Sequence, residues 1–85
     1  MAGKWVRGGE PPVARPGVIV QLRPYELHGT RYVAVLYRLD GDPDGSAREA
    51  RLSHEMIYPH PRPGDRVLVA SVLGVVDRIA LAEPP

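Results

Sequence analysis

Apolar residues in the second half of the chain form its strongest pattern. After the turn residues Pro63-Gly64-Asp65, an apolar segment spans residues 67–76 and is interrupted only by Ser71 and Gly74. An alternating stretch over residues 75–81 then closes the segment. The pattern predicts two β-strands, or one long strand that bends at Gly74.

The first half of the chain contains two further strand patterns. Residues 18–22 are rich in β-branched side chains, and we expect this strand to end at Pro24, because proline lacks the amide donor that a ladder needs. Residues 25–30 are expected to be a connection with a turn at His28-Gly29. The pattern therefore predicts a short first strand and a loose connection to the second.

Residues 31–39 predict a strand whose two faces are both apolar at its centre. One face carries Val33, Val35, Tyr37 and Leu39. The other face carries Tyr32, Ala34, Leu36 and Arg38. Such a strand lies at the centre of a sheet, inside a barrel, or under a second copy of the chain.

Residues 46–58 fit two structures, after a tight turn predicted at residues 40–45. As a helix, the segment has a capping box formed by Ser46 and Glu49, followed by an apolar pair at i,i+4 spacing. As a strand, it alternates between apolar and polar residues. We favour a hairpin whose return strand extends to about Leu52, followed by one helical turn capped by Ser53.

These elements predict an all-β fold. About five short strands in a chain of this length favour a small five-stranded barrel of the SH3-like or OB-like type, since closure removes exposed edges. One short helical turn is expected within it, and residues 58–63, with alternate prolines, are expected to be a stiff connector. The alternative is a small α+β sheet with one helix near residues 46–58.

Composition divides the chain into three parts. Glycine and proline dominate residues 1–16, which are expected to be a flexible N-terminal arm. Residues 17–82 are expected to form a single β domain, and residues 83–85 a disordered tail. The 85 residues include no cysteine, so no disulfide braces a core this small, and self-association is one way to stabilise it.

Net charge and hydropathy define the expected environment. The formal net charge is +1, which favours neither a polyanionic partner nor its exclusion. The longest apolar run is about half the ~20 residues that a membrane-spanning helix needs, and no signal peptide is visible. We therefore expect a soluble, cytoplasmic protein that does not insert into a membrane.

The sharpest candidate for chemistry is the acidic turn. Asp40, Asp42 and Asp44, with the glycine that follows, resemble the opening of an EF-hand calcium loop. The likeness ends there, because Pro43 lies inside the loop and Arg51 occupies the position of the bidentate glutamate. These aspartates remain weak metal candidates, and no cofactor is expected.

The sequence shows no grouping that predicts catalysis. The three histidines lack ligand spacing, no serine or threonine lies in a nucleophile motif, and no glycine-rich phosphate loop precedes a helix. We therefore expect a protein that is not an enzyme.

The absence of catalytic groupings and the excess of apolar surface favour a binding role. The expectation is a β-barrel module that mediates protein–protein interaction or oligomeric assembly, with itself or another protein as partner. Its expected interface residues are Trp5, Tyr32, Leu36, Leu73 and Val75. The alternative is a nucleic-acid-binding barrel that uses Arg23, Tyr25, Arg31 and Arg38.

Overall fold

Five antiparallel strands form one sheet in the computed structural model, which describes residues 13–82. The strands are β1 (Val13–Leu27), β2 (Thr30–Leu39), β3 (Arg48–Ser53), β4 (Arg66–Val72) and β5 (Val75–Leu81). Their order across the sheet is β3-β2-β1-β4-β5, so β1 is central and β3 and β5 are the edges. The expected all-β class is confirmed.

Two tight turns connect the hairpins β1–β2 and β4–β5. His28-Gly29 has φ angles of 52° and 80°, and Leu73-Gly74 has φ angles of 53° and 82°. Two consecutive positive φ values are the signature of the type I′ turn, whose twist matches that of the flanking strands. The predicted turn at His28-Gly29 is therefore confirmed, and of the two alternatives at Gly74 the structure has two strands and not one bent strand.

Strand β1 is longer at both ends than the sequence indicated. The prediction that it ends at Pro24 is wrong, because the strand continues to Leu27 with Pro24 opposite Val33. Beyond Val18 the strand pairs with β2 alone, and an edge tolerates a residue without an amide donor. At its start β1 pairs with β4 from Val13 onward. The remainder of the expected arm, residues 1–12, and the expected tail lie outside the described residues.

The segment after the acidic turn is a strand and not a helix. β3 pairs along β2 from Tyr37 opposite Arg48 to Tyr32 opposite Ser53. One 3-10 turn, His54–Met56, follows, and the Ser53 hydroxyl accepts a hydrogen bond of 3.3 Å from the Glu55 amide. The predicted hairpin and its capped helical turn are confirmed, and the α+β alternative is wrong.

The core lies on the concave face of the sheet. Of the two apolar faces predicted for β2, one is buried throughout, at Val33, Val35, Tyr37 and Leu39. Residues from the other strands and from the segment after β3 pack against it: Ile19, Ala50, Leu52, Ile57, Val67, Val69 and Ile79. The core thus joins both ends of the sheet.

The sheet curls but does not close. A bulge between Ile19 and Gln21 lets β1 pair with β4 along its first half and with β2 along its second. A single parallel bridge, Ile57 to Ile79, connects the segment after β3 to β5. In the described part of the chain no ladder joins β3 to β5, and a cavity of about 330 Å³ lies between them. The five-stranded sheet is therefore shown, whereas closure into a barrel is not.

Candidate functional site

Two tyrosines stack on the convex face of the sheet, next to the β1–β2 turn. Tyr25 of β1 lies directly opposite Tyr32 of β2, and both are partly exposed. Their ring centroids are 5.4 Å apart with an interplanar angle of 18°. This stacked geometry gives a flat aromatic surface on which a planar group of a ligand can stack.

Arginines flank the tyrosine pair in the next cross-strand row. Arg23 and Arg51 both lie opposite Ala34, one on each side, so they share its convex face. Arg51 forms an exposed ion pair of 3.2 Å with Glu49. Arg23 has no ion pair among the described residues. Ala34 is nevertheless buried, which is consistent with cover from its long neighbours.

Two shallow cavities share Pro24 and Tyr25 in their linings. One, of about 380 Å³, is lined by Pro24, Tyr25, Glu26, Arg31, Tyr32 and His54. The other, of about 390 Å³, is lined by Arg23, Pro24, Tyr25, Ala34, Glu49 and Arg51. The His54 ring approaches the first cavity through a contact of 3.3 Å between Nδ1 and the Arg31 carbonyl oxygen. We refer to Arg23, Tyr25, Arg31 and Tyr32 as the tyrosine site.

The structure brings together three of the four residues expected in a nucleic-acid interface. Arg23, Tyr25 and Arg31 all belong to the tyrosine site. Arg38 lies at the far end of β2, opposite Val18, and donates a 3.0 Å hydrogen bond from Nε to the Ser46 carbonyl oxygen. The fourth residue therefore stabilises the acidic turn instead.

Exposed apolar side chains gather at the opposite end of β1. Leu73 and Val75, at the β4–β5 turn, are 78% and 69% exposed. Val13, which lies opposite Ser71 of β4, is 55% exposed. These three residues, which we call the apolar end, leave large hydrophobic side chains in water at one end of the sheet.

The structure divides the expected protein interface into two groups. Tyr32 and Leu36 are half-buried on the convex face of β2, where Leu36 lies between Gln21 and Glu49. Leu73 and Val75 belong to the apolar end. Trp5 lies outside the described residues.

Two of the three aspartates of the acidic turn form ion pairs with arginines. Asp42 accepts two hydrogen bonds from Arg48, of 2.9 and 3.0 Å, and one of 3.0 Å from the Leu39 amide. Asp40 accepts one of 2.8 Å from Arg66. These hydrogen bonds lower the pKa of both carboxyl groups. Each carboxylate is thus directed at a guanidinium and not at a shared centre with Asp44.

The described residues contain no group of three or more metal-ligating side chains that could hold a cation. The closest contact between titratable groups is a 2.6 Å hydrogen bond from the Tyr58 hydroxyl to Asp65. Burial, and then this hydrogen bond, raise the pKa of Tyr58, while the same bond and the Arg62 amide lower that of Asp65. The pair joins the proline-rich connector to the turn before β4, which is a structural role.

Sequence reasoning did not place Pro24, Arg51 and His54 at a site. For the tyrosine pair, the sequence does contain a signal, which is the turn at His28-Gly29. A two-residue turn there sets Leu27 opposite Thr30 and hence Tyr25 opposite Tyr32. Arg51 and His54 reach the same surface only through the pairing of β3 with β2. Their position follows from tertiary structure rather than from spacing along the chain.

Fold and surfaces together define a small antiparallel β protein with an aromatic, arginine-flanked face at one end of its central strand and an apolar end at the other. Comparison with protein-family models, curated proteins and solved structures finds no significant match. None of its described helices has the length and apolar composition required to cross a membrane.

Proposed function

We propose that this chain is a non-enzymatic, cytoplasmic β-barrel module of the SH3-like or OB-like type that acts by protein–protein contact, with a second copy of the chain as its partner. The single observation that carries the proposal is the apolar end. Leu73, Val75 and Val13 expose most of their side chains to water although each is a core-type residue.

Energetics support a contact at this surface. Fully burying a leucine or valine side chain contributes about 1.5–3 kcal/mol, so a partner that covers the three side chains gains several such contributions. No residue of the apolar end carries a charge that a partner would have to desolvate. The surface is therefore suited to a hydrophobic interface.

The small core and the open sheet favour self-association over an isolated monomer. No disulfide braces the domain, and its core consists of one layer of side chains on the concave face. Within residues 13–82, the gap between β3 and β5 leaves strand edges without ladder partners, and Val75 lines this gap. A second copy at the apolar end would cover Val75 together with part of the exposed edge.

The test is to remove the apolar surface without weakening the fold. Leu73→Asn places asparagine before Gly74, the preferred pair for a type I′ turn, and Val75→Thr keeps a β-branched residue in β5. The double variant should sediment as a 9.3 kDa monomer at concentrations where the natural protein sediments as an oligomer.

Leu27→Thr is the matched control. Leu27 is 52% exposed at the other end of β1, so its replacement removes a similar amount of apolar surface away from the apolar end. This control should sediment like the natural protein. Equal sedimentation of the double variant and the natural protein would show that the apolar end makes no subunit contact.

A further inference from the structure

We infer that the tyrosine site binds single-stranded nucleic acid, with bases stacked on Tyr25 and Tyr32 and the backbone phosphates held by Arg23 and Arg31. This inference goes beyond the proposed self-association and concerns a different surface. It rests on the geometry of the aromatic pair, the charges around it and the shape of the two cavities.

The aromatic pair provides the stacking surface. The two rings are nearly parallel, 18° apart, and are fixed in place by their cross-strand pairing. Since each ring is partly exposed, a base can stack against the pair without a rearrangement of the sheet. Every base has a π-face, so this contact favours unpaired nucleotides of any sequence.

The charges at the site complement a phosphate backbone. Arg23 lies one cross-strand row from the tyrosines, and Arg31 lines the cavity that they form. Neither guanidinium has an ion pair within residues 13–82, in contrast to Arg48, Arg51 and Arg66. Glu26, directly opposite Arg31, and Glu49, paired with Arg51, reduce the local positive charge. The site should therefore contact few phosphates.

The shape of the site favours a strand over a compact ligand. The cavities of about 380 and 390 Å³ share Pro24 and Tyr25 in their linings, so open surface lies on both sides of the Tyr25 ring. His54, whose Nδ1 lies 3.3 Å from the Arg31 carbonyl oxygen, borders the first of these cavities just after β3. A short extended segment of two or three nucleotides matches an open surface that combines an aromatic pair with arginines nearby.

The experiment is a fluorescence-anisotropy titration of the full chain against a labelled oligothymidylate, the same-length oligouridylate and a matched duplex, at low and moderate salt. Both single strands should bind more tightly than the duplex. With two phosphate contacts, the slope of log K against log salt should be roughly −1.4 for the single strands. Absence of single-strand binding at low salt, or tighter binding of the duplex, would overturn the inference.

Four variants locate the contact. Tyr25→Ala should weaken single-strand binding by about five- to hundredfold, and Tyr25→Phe should retain it because the ring remains. Arg23→Gln with Arg31→Gln should flatten the salt slope toward zero. Arg62→Gln removes an exposed cation from the connector and should leave both affinity and slope unchanged. If Arg62→Gln lost as much affinity as the Arg23→Gln, Arg31→Gln variant, binding would be general electrostatic attraction and the inference would be overturned.

A proline-rich peptide is the competing occupant of an aromatic surface. Titration of the chain against a labelled polyproline peptide, and competition of that peptide without label against the bound labelled oligothymidylate, distinguish the two. Displacement of the oligonucleotide only by unlabelled single strand supports the inference. Tight peptide binding that Tyr25→Ala abolishes, without any single-strand binding, would assign the site to a protein ligand instead.

Discussion

Ile79 connects the two ends of the sheet, although it resembles any other apolar strand residue in the sequence. It is 1% exposed, lies opposite Val69 in the β4–β5 ladder and forms the single bridge to Ile57. Neighbouring residues of β5, such as Leu81, are half-exposed instead. Ile79 and Leu81 lie on the same face of β5, because they are two residues apart along the strand. The contribution of a residue to stability therefore depends on its position along this edge strand, with Ile79 beside Ile57 and Leu81 at the strand end.

Ile79→Ala should destabilise the protein by about 2–5 kcal/mol, because it removes buried methyl groups and leaves a cavity where the ends of the sheet meet. Urea denaturation measures the change. Leu81→Ala on the same strand is the control and should change the free energy of unfolding by about 0.5 kcal/mol or less. Similar losses in both variants would contradict the role given to Ile79.

At the scale of elements, local chemistry fixes the hairpins. Positive φ at His28 and Leu73 is costly for residues with a Cβ, yet both turns adopt it because the following glycine completes the type I′ geometry. The paired strands stabilise this geometry and offset its local cost. In each turn, the first residue is thus of a type that does not favour the positive φ angle that the backbone adopts there.

His28→Asn should raise the free energy of unfolding by several tenths of a kcal/mol, since asparagine tolerates the left-handed conformation better than histidine. Thermal and urea denaturation measure the gain. The substitution lies away from the apolar end, so sedimentation should be unchanged. A loss of stability would mean that the His28 side chain makes a contribution larger than the strain that it causes.

The elements show what the sequence could and could not predict. The acidic turn, the Ser53 cap and part of every strand follow from alternation and turn residues and were predicted, with one bent strand as the alternative for β4 and β5. The end of β1 was predicted wrongly at Pro24. A proline destabilises a strand only where a neighbouring strand would accept a hydrogen bond from its missing amide, and the whole sheet determines whether such a neighbour is present. The stacking of Tyr25 on Tyr32 was not predicted, because a strand that ends at Pro24 leaves Tyr25 in the connection. Closure of the sheet depends on contacts between residues far apart in the chain.

Across the whole molecule, ionised aspartates hold the loops together at one end of the core. Asp40 and Asp42 bind arginines, and Asp65 accepts hydrogen bonds from Tyr58 and the Arg62 amide. All three carboxyl groups have a pKa below the ordinary value of 3.8. Folding therefore favours their charged forms.

Stability should fall as the pH is lowered below about 4. A group whose pKa is lower in the folded state stabilises the fold above its unfolded pKa, and this contribution disappears as the pH falls through the folded pKa. Urea denaturation over a series of acidic pH values measures the effect, and Asp65→Asn should show a shallower dependence. A stability that rises on acidification would contradict these assignments.

Self-association through the apolar end is the central claim at this scale, and light scattering coupled to size-exclusion chromatography tests it most directly. Over a rising series of concentrations, the mass of the natural protein should increase from 9.3 kDa to a fixed multiple of that value. The Leu73→Asn, Val75→Thr variant should remain at 9.3 kDa throughout. A natural protein of 9.3 kDa up to high micromolar concentration would contradict the claim and leave the exposed side chains without a subunit partner.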